Sequence, residues 1–289
     1  MSDFRLKVFQ SVAKNLSFTK ASQELFVSQP AITKHIQELE ATYQTRLFDR
    51  QGSKISLTES GRLLLEHCER ILEDYKRLEY EMHLLHNEYI GELKLGASTT
   101  IAQYVLPPLL GSFIGKFPQV NLSLLNGNSR EIEAALQEHR IDLGLVEGVF
   151  RLPNLKYTTF LEDELVAVVH SKSRLQLPEE ITPQDLPAIP LVLRERGSGT
   201  LDVIERSLQK HGVKLSSLHV LMYLGSTESI KLFLENSDCM GIVSIRSICK
   251  ELAAGTFRVV EIKDMPMLRD FCFVQLQGQE GGLSQAFMN

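Results

Sequence analysis

The run from Ser17 to Glu40 admits few folds. Its spacing predicts two short helices and a tight turn. Thr19 caps the first helix, its hydroxyl taking one of the free backbone N–H groups of the opening turn. Ala21, Leu25 and Phe26 recur at helical spacing, and Val27 sits in the turn. Ser28 caps the second helix, with Pro30 in its first turn, where a missing N–H costs nothing. Ile32, Ile36 and Leu39 form a buried stripe, so Gln29, Thr33, Lys34 and Gln37 face outward. Those side chains suit base edges and phosphates. A second helix held across a first fits the DNA major groove. Turn chemistry alone is equally compatible with a plain surface hairpin.

The longer pattern separates the two readings. Ala21, Leu25, Ser28-Gln29-Pro30-Ala31, Ile36, Leu39-Glu40, Leu47-Phe48, Arg50 and Leu57-Thr58-Glu59-Ser60-Gly61 stand in order. In this register the chain resembles the N-terminal winged helix-turn-helix of the LysR-type transcriptional regulators. Two places depart from the family pattern: Tyr43-Gln44 stand where Leu-Gly is usual, and Gln51-Gly52-Ser53-Lys54 makes a less basic wing. The resemblance implies DNA contacts from Thr19, Ser28, Gln29, Pro30, Thr33, Lys34, His35 and Gln37, with Arg50 and Lys54 of the wing on the phosphate backbone. It also implies an imperfect palindromic operator in double-stranded DNA, and RNA polymerase as a further partner.

Charge is distributed to match. Residues 1–58 hold eight Lys/Arg against five Asp/Glu, a net +3, while the rest holds 23 against 31, a net −8. A basic head on an acidic body fits a DNA module attached to something else. Phe4, Val8, Phe9 and Val12 make the apolar stripe of a first helix that closes the head's core, and Tyr43, Leu47 and Phe48 continue that core. The four cysteines lie far from any C-x-x-C or zinc-finger spacing and read as indifferent thiols in a reducing cytoplasm. An oxidation-sensing pair is the other reading, since some LysR-type members work that way. No signal peptide and no membrane-length apolar run appears, which predicts a cytoplasmic protein.

Thr58 caps a long helix running to Tyr89. Its apolar positions are Leu64, Cys68, Ile71, Tyr75, Leu78, Met82, Leu85 and Tyr89, stepping alternately by four and three. That is a heptad seam. A helix of about 30 residues spans roughly 45 Å, more than a small domain needs. The seam predicts a homodimer through this linker, and the family resemblance adds a homotetramer built by contacts of the effector domains. A helix packed on its own domain is the alternative.

Beyond Gly91 the periodicity changes. Glu92–Gly96, Val120–Leu124 and Asp142–Val146 read as strands, separated by helices at Ile101–Phe117 and Ser129–Glu138. Strands at Leu165–His170, Pro190–Leu193, His219–Leu224, Met240–Ser244 and Arg258–Ile262 follow, with helices at Leu201–His211, Ser226–Glu235 and Ile245–Ala254. The alternation gives a mainly parallel α/β architecture. The expected organisation is a DNA-binding domain over 1–58, a linker and dimerisation helix over 59–89, and an effector domain over 90–289. Within the last, 90–162 and 266–289 form one subdomain and 163–265 the other. Gly96-Ala97-Ser98-Thr99-Thr100, Phe117-Pro118 and Asp142–Val146 are similar to the LysR effector domain, which shares the periplasmic-binding-protein fold. Ile101, Leu106-Pro107, Gly127-Asn128 and Leu145–Gly148 are nearest to the subgroup governing carbon fixation and sulfur assimilation.

Ligands of open α/β sheets bind beyond the carboxyl ends of strands. Ser98-Thr99-Thr100, Arg196-Gly197-Ser198-Gly199-Thr200 and Ser226-Thr227 each follow a strand and open a helix, and Asn126, Asn128 and Glu147 rim the same cleft. Hydroxyls and free N–H groups there suit a small anion, such as a phosphorylated sugar, a sulfur species or a carboxylate. Helix capping accounts equally for each Ser and Thr taken singly. No cofactor or metal site and no catalytic set appears: G-x-S-x-G, H-E-x-x-H and a Walker loop are all missing. The leading expectation is a ligand-responsive transcriptional regulator rather than an enzyme. The alternative is a small-molecule binding protein of the solute-binding fold without DNA function.

Overall fold

Val8, Phe9 and Val12, one face of α1 (Phe4–Asn15), are fully buried. They meet Phe18 and Ala21 of α2 (Phe18–Glu24) and Ile32, Ile36 and Leu39 of α3 (Gln29–Tyr43). A hairpin of β1 (Phe48–Gln51) and β2 (Lys54–Leu57) follows, pairing Phe48 with Leu57. Phe48 supplies the ring on which Phe9 and Phe18 pack, at 5.5 and 5.9 Å. Thr58 then caps α4 (Glu59–Leu85): its hydroxyl accepts the Gly61 N–H at 2.9 Å and donates to the Arg46 carbonyl at 2.7 Å. The computed structural model describes residues 4–51, 54–85, 90–148, 150–278 and 282–289. Side chains at 50, 51 and 54 and at several positions from 73 to 85 of α4 lie outside that description, Arg50, Lys54 and Leu85 among them, as does the whole of Tyr89. The chain divides into two units, Met1–Glu88 and Tyr89–Asn289.

Several local expectations change in the first unit. Ser17, not Thr19, caps α2, accepting the Lys20 N–H at 3.2 Å. The helix starts earlier because Phe18 must reach Phe48, which leaves Thr19 inside it and exposed. Phe26, expected at helical spacing with Ala21 and Leu25, falls in the turn at φ 54 and is 95 % exposed. Tyr43 is also outside the core. Gln44 ends α3 in the left-handed conformation that the family usually assigns to glycine. The seam of α4 divides. Cys68 donates to the Leu6 carbonyl at 3.2 Å and is buried with Leu72 in the head's own core. Farther along, Ile71, Leu78 and Met82 are 40, 52 and 51 % exposed.

The second unit holds a sheet in the order β4-β3-β5-β12-β6-β10-β8-β9, with β11 and β7 joined beside β6. Its first half comprises β3 (Gly91–Ser98), α5 (Thr99–Tyr104), α6 (Leu106–Lys116), β4 (Val120–Gly127), α7 (Ser129–Gln137) and β5 (Leu143–Glu147), with β3 parallel to both β4 and β5. The single helix expected over Ile101–Phe117 breaks at Val105. Pro107 and Pro108 supply no N–H to bond back to the carbonyls of Gln103 and Tyr104, so a new helix starts at Leu106 with the prolines in its first turn. The long strand β6 (Leu155–His170) crosses into the other half, which holds β7 (Glu180–Ile181), β8 (Leu191–Arg194), α8 (Gly199–Lys210), β9 (Val220–Leu224), α9 (Thr227–Glu235), β10 (Met240–Ser244), α10 (Cys249–Ala253) and β11 (Phe257–Ile262). The helix expected over Ile245–Ala254 is a short 3-10 turn followed by α10. The chain crosses back on β12 (Met267–Leu276), antiparallel to β6 with Arg269 opposite Asp163, and α11 (Gly282–Met288) closes on the first half. Large apolar clusters lie on both sides of the crossing.

Two glycines test this packing with opposite sign. A Cβ on Gly61 would stand 2.1 Å from the Leu47 carbonyl, whereas one on Gly111, inside α6, would meet nothing within 4 Å. Scanning calorimetry of the full chain should show Gly61→Ala lowering the transition of the first unit by roughly 2 kcal/mol or more. Gly111→Ala should raise that of the second by about 0.5–1 kcal/mol.

Candidate functional site

The outer face of α3 is built as its sequence requires. Ser28 Oγ accepts the Ala31 N–H at 3.4 Å, and Pro30 occupies the first turn, exposed beside Gln29. Lys34 and Gln37 are exposed, and Thr33, half-buried, donates back to the Gln29 carbonyl at 3.1 Å. The Thr19 hydroxyl lies 3.5 Å from Gln29 Oε1, so α2 holds the first polar side chain of that face. His35 is turned differently. Its ring meets Phe4 edge-on at 5.4 Å, with Nδ1 3.6 Å from Glu38. Of the wing residues Arg50 and Lys54, only the backbone falls within the description, paired in the hairpin with Ile55 and Gln51.

In the second unit the strand ends converge as expected. Ser98 caps α5, Asn128 caps α7 in a reciprocal box with Glu131, Ser198 caps α8 and Ser226 caps α9. Gly197, at φ 92, accepts the Arg130 N–H at 3.3 Å, and its missing Cβ would lie 3.1 Å from Asn128 Oδ1. A Cβ on Gly199 would stand 1.9 Å from the Glu147 carbonyl. These two glycines let the loop of one half touch the strand ends of the other. On the remaining side Tyr104 donates its hydroxyl to Glu228 of α9. Lys231 stands behind, 2.8 Å from Glu228, 2.5 Å from Glu251 and 3.0 Å from the Ser247 carbonyl. Burial, then the bond to Glu228, pushes the Tyr104 phenol far up.

Three donors stay uncommitted. The Thr99 and Thr100 hydroxyls are buried without a partner among the described residues, and so is Nη1 of Arg194. Arg194 is 1 % exposed and held by Glu195 through its other nitrogens at 2.8 and 3.1 Å. Thr227 is buried, while Asn126 and Arg196 are exposed. Two expected contributors are placed differently. Thr200 Oγ1 accepts Arg269 Nη1 at 2.8 Å, which fixes the oxygen toward the guanidinium and leaves the O–H to donate. Glu147 is buried rather than on a rim, 3.4 Å from the same guanidinium.

Arg269 is the residue that reading the sequence missed. It lies between Glu147, Thr200 and Asp163, whose carboxylate receives Nε at 2.8 Å. Ser244 donates to the other Asp163 oxygen at 2.7 Å, and Arg246 stands 3.6 Å away. The available signal was a charge at an inward position of an alternating strand: Met267, Arg269 and Phe271 are buried, and Leu268 is exposed. The cysteines form no pair: all four are free. Burial pushes the Cys68 thiol up to about 12 and Cys239 up to about 11, and raises Cys272 as well, which makes all three poor nucleophiles.

Comparison with known proteins gives two family matches. Residues 4–62 match the bacterial regulatory helix-turn-helix protein model of the lysR family, and residues 86–289 match the LysR substrate binding domain. The chain is 29 % identical over 269 residues to the HTH-type transcriptional regulator CysL of Bacillus subtilis, covering 93 % of this chain and 89 % of CysL. It is 32 % identical over 268 residues to the "Probable RuBisCO transcriptional regulator" of Cyanidioschyzon merolae, covering 92 % and 88 %. Among solved structures, the Synechocystis PCC6803 CcmR regulatory domain in complex with 2-PG superposes with a TM-score of 0.61 at 28 % identity, covering 68 % of this chain and 94 % of that one.

Removing Arg269 strands two buried carboxylates. Arg269→Met should lower the stability of the second unit by about 3–5 kcal/mol, read by denaturant unfolding. Arg269→Lys should recover only part of it, because one ammonium cannot reproduce the fork.

Proposed function

The chain belongs to the LysR family of transcriptional regulators, and from that premise we propose which residues read DNA, what holds two chains together and what kind of effector is bound. DNA is read by Gln29, Thr33, Lys34 and Gln37 of α3 in the major groove, with Thr19, Ser28 and Pro30 at the helix entrance. The observation that carries this is the split of α3: Ile32, Ile36 and Leu39 are buried, and the opposite face is polar and open. His35 is better placed to brace α3 on Phe4 than to touch a base. Arg50 and Lys54 reach the flanking phosphates from the wing. The chain acts in the cytoplasm, and RNA polymerase is the partner at the promoter.

Two chains associate through α4, where the exposed stripe Ile71, Leu78 and Met82 needs a cover. Two heads then meet two half-sites of an imperfect palindrome. A tetramer follows if the sheet edges also pair: β4 exposes Leu124 and Leu125, and β9 exposes Leu221, Met222 and Tyr223.

The effector is a small anion bound where α5, α8 and α9 begin. Buried hydroxyls of Thr99 and Thr100 and Nη1 of the buried Arg194, whose other two nitrogens bond Glu195, supply the donors. Such donors are costly unless satisfied. CcmR was solved with 2-PG in the corresponding domain, which supports this class. Ser98, Ser198, Ser226 and Thr227 shape the site through their caps, with Asn126, Asn128, Arg196 and Gly197 around it.

A gel shift on DNA upstream of the protein's own gene tests the regulator. Thr33-Lys34 replaced by Ala-Ala should weaken binding by about 1–3 kcal/mol and lower the salt slope by about one. Unchanged binding and slope would refute the assignment of α3. A thermal-shift series with phosphate, sulfite, phosphorylated sugar acids and small carboxylates tests the cleft. At least one should stabilise the second unit, by about 2.7 kcal/mol at a hundredfold excess over Kd. Thr100→Val should abolish that stabilisation while leaving the gel shift intact.

A further inference from the structure

A cavity of about 360 Å³ lies between α7, the segment after β5 and α8. It falls within the size range of small-molecule sites. Arg130, Glu133, Glu147, Phe150, Leu152 and Asp202 line it, and of these only Glu147 figures among the cleft residues named above.

Its polar groups are undersupplied with donors. Glu147 is 3 % exposed; one carboxylate oxygen stands 3.4 Å from Arg269, and the other has no hydrogen-bond partner among the described residues. Glu133 takes the Tyr157 hydroxyl at 2.6 Å. Asp202 faces Arg130 at 3.8 Å, beyond hydrogen-bond reach, and Arg130 is itself largely exposed. Burial raises the Glu133 and Asp202 carboxyls. Beside them Phe150 and Leu152 present exposed apolar surface. Among the described residues no group of three His, Cys, Asp or Glu has the arrangement to hold a metal ion. A flexible diammonium suits carboxylates that do not converge on one point: N–H donors and a positive charge at each end, and a methylene chain for the apolar wall, with the exposed Arg130 free to swing away into solvent.

We propose that this cavity is a second ligand site, distinct from the anion cleft, and that it takes a small organic dication, its two ammonium ends shared among the separate carboxylates Glu133, Glu147 and Asp202 and its chain against Phe150 and Leu152. Because α7 and α8 belong to opposite halves of the unit, occupancy fastens the two halves together.

Titration calorimetry of the full chain with 1,5-diaminopentane, and with 1,5-pentanediol as the neutral match, tests it. The diamine should bind once per chain and the diol should give no heat. Asp202→Asn and Glu133→Gln should each weaken the diamine about tenfold or more. Ala134→Leu keeps the charges and fills the cavity, and should abolish binding. Thr100→Val should leave it unchanged, which separates this site from the anion cleft. No heat with folded protein up to about 10 mM diamine, equal binding of the diol, or full binding by Ala134→Leu would each overturn the proposal.

Discussion

A guanidinium with no access to solvent governs the second unit. Arg269 sits on the strand by which the chain returns, opposite Asp163 on the strand by which it leaves, and bonds Thr200 at the start of α8. An unpaired charge at such depth would be prohibitive, so its partners must stay where they are. Asp163 is in turn fixed by Ser244 and approached by Arg246. One side chain thus correlates both crossing strands, the end of β5, the opening of α8 and the end of β10. Movement of the Ser198–Thr200 loop stretches bonds at the crossing itself. Under the proposed anion site at the helix starts, this is the physical route by which a ligand would bias the relation of the two halves.

How much of this could be read beforehand depends on the range of the interactions. Local rules located most elements: caps at Ser28, Thr58, Ser198 and Ser226, the buried stripe of α3, and the alternation of the parallel strands. They failed where a distant contact decided the outcome. The start of α2 moved to suit Phe48, and Cys68, which looked like part of a dimer seam, was claimed by Leu6. The site divides the same way. Small hydroxyl residues after strands are a local signal, and in the fold they stand as helix caps and buried hydroxyls at those strand ends. Asp163, Arg194 and Arg269 act through partners on other strands or through burial that only tertiary packing creates. Their sequence neighbourhoods read as ordinary charged stretches.

Gln44 illustrates how a family pattern and a chain's own physics can part. The end of α3 requires a left-handed residue, and the usual glycine supplies it freely. Here a glutamine adopts φ 53 at a cost of about 1 kcal/mol. The helix still ends at that point, because its N–H and that of Thr45 bond back to Ala41 and Glu40. The backbone geometry is retained and the residue type is not.

The two crossings also order events in time. β12 lies in the middle of the sheet, between β5 and β6, yet it follows every other strand of the unit in chain order. Until residue 276 emerges, the first half of the unit lacks its central strand and the Asp163 carboxylate lacks its guanidinium. The head, made of local contacts within the first 85 residues, meets no such delay. During synthesis the DNA-reading half of the chain is therefore complete while the ligand-sensing half is still open.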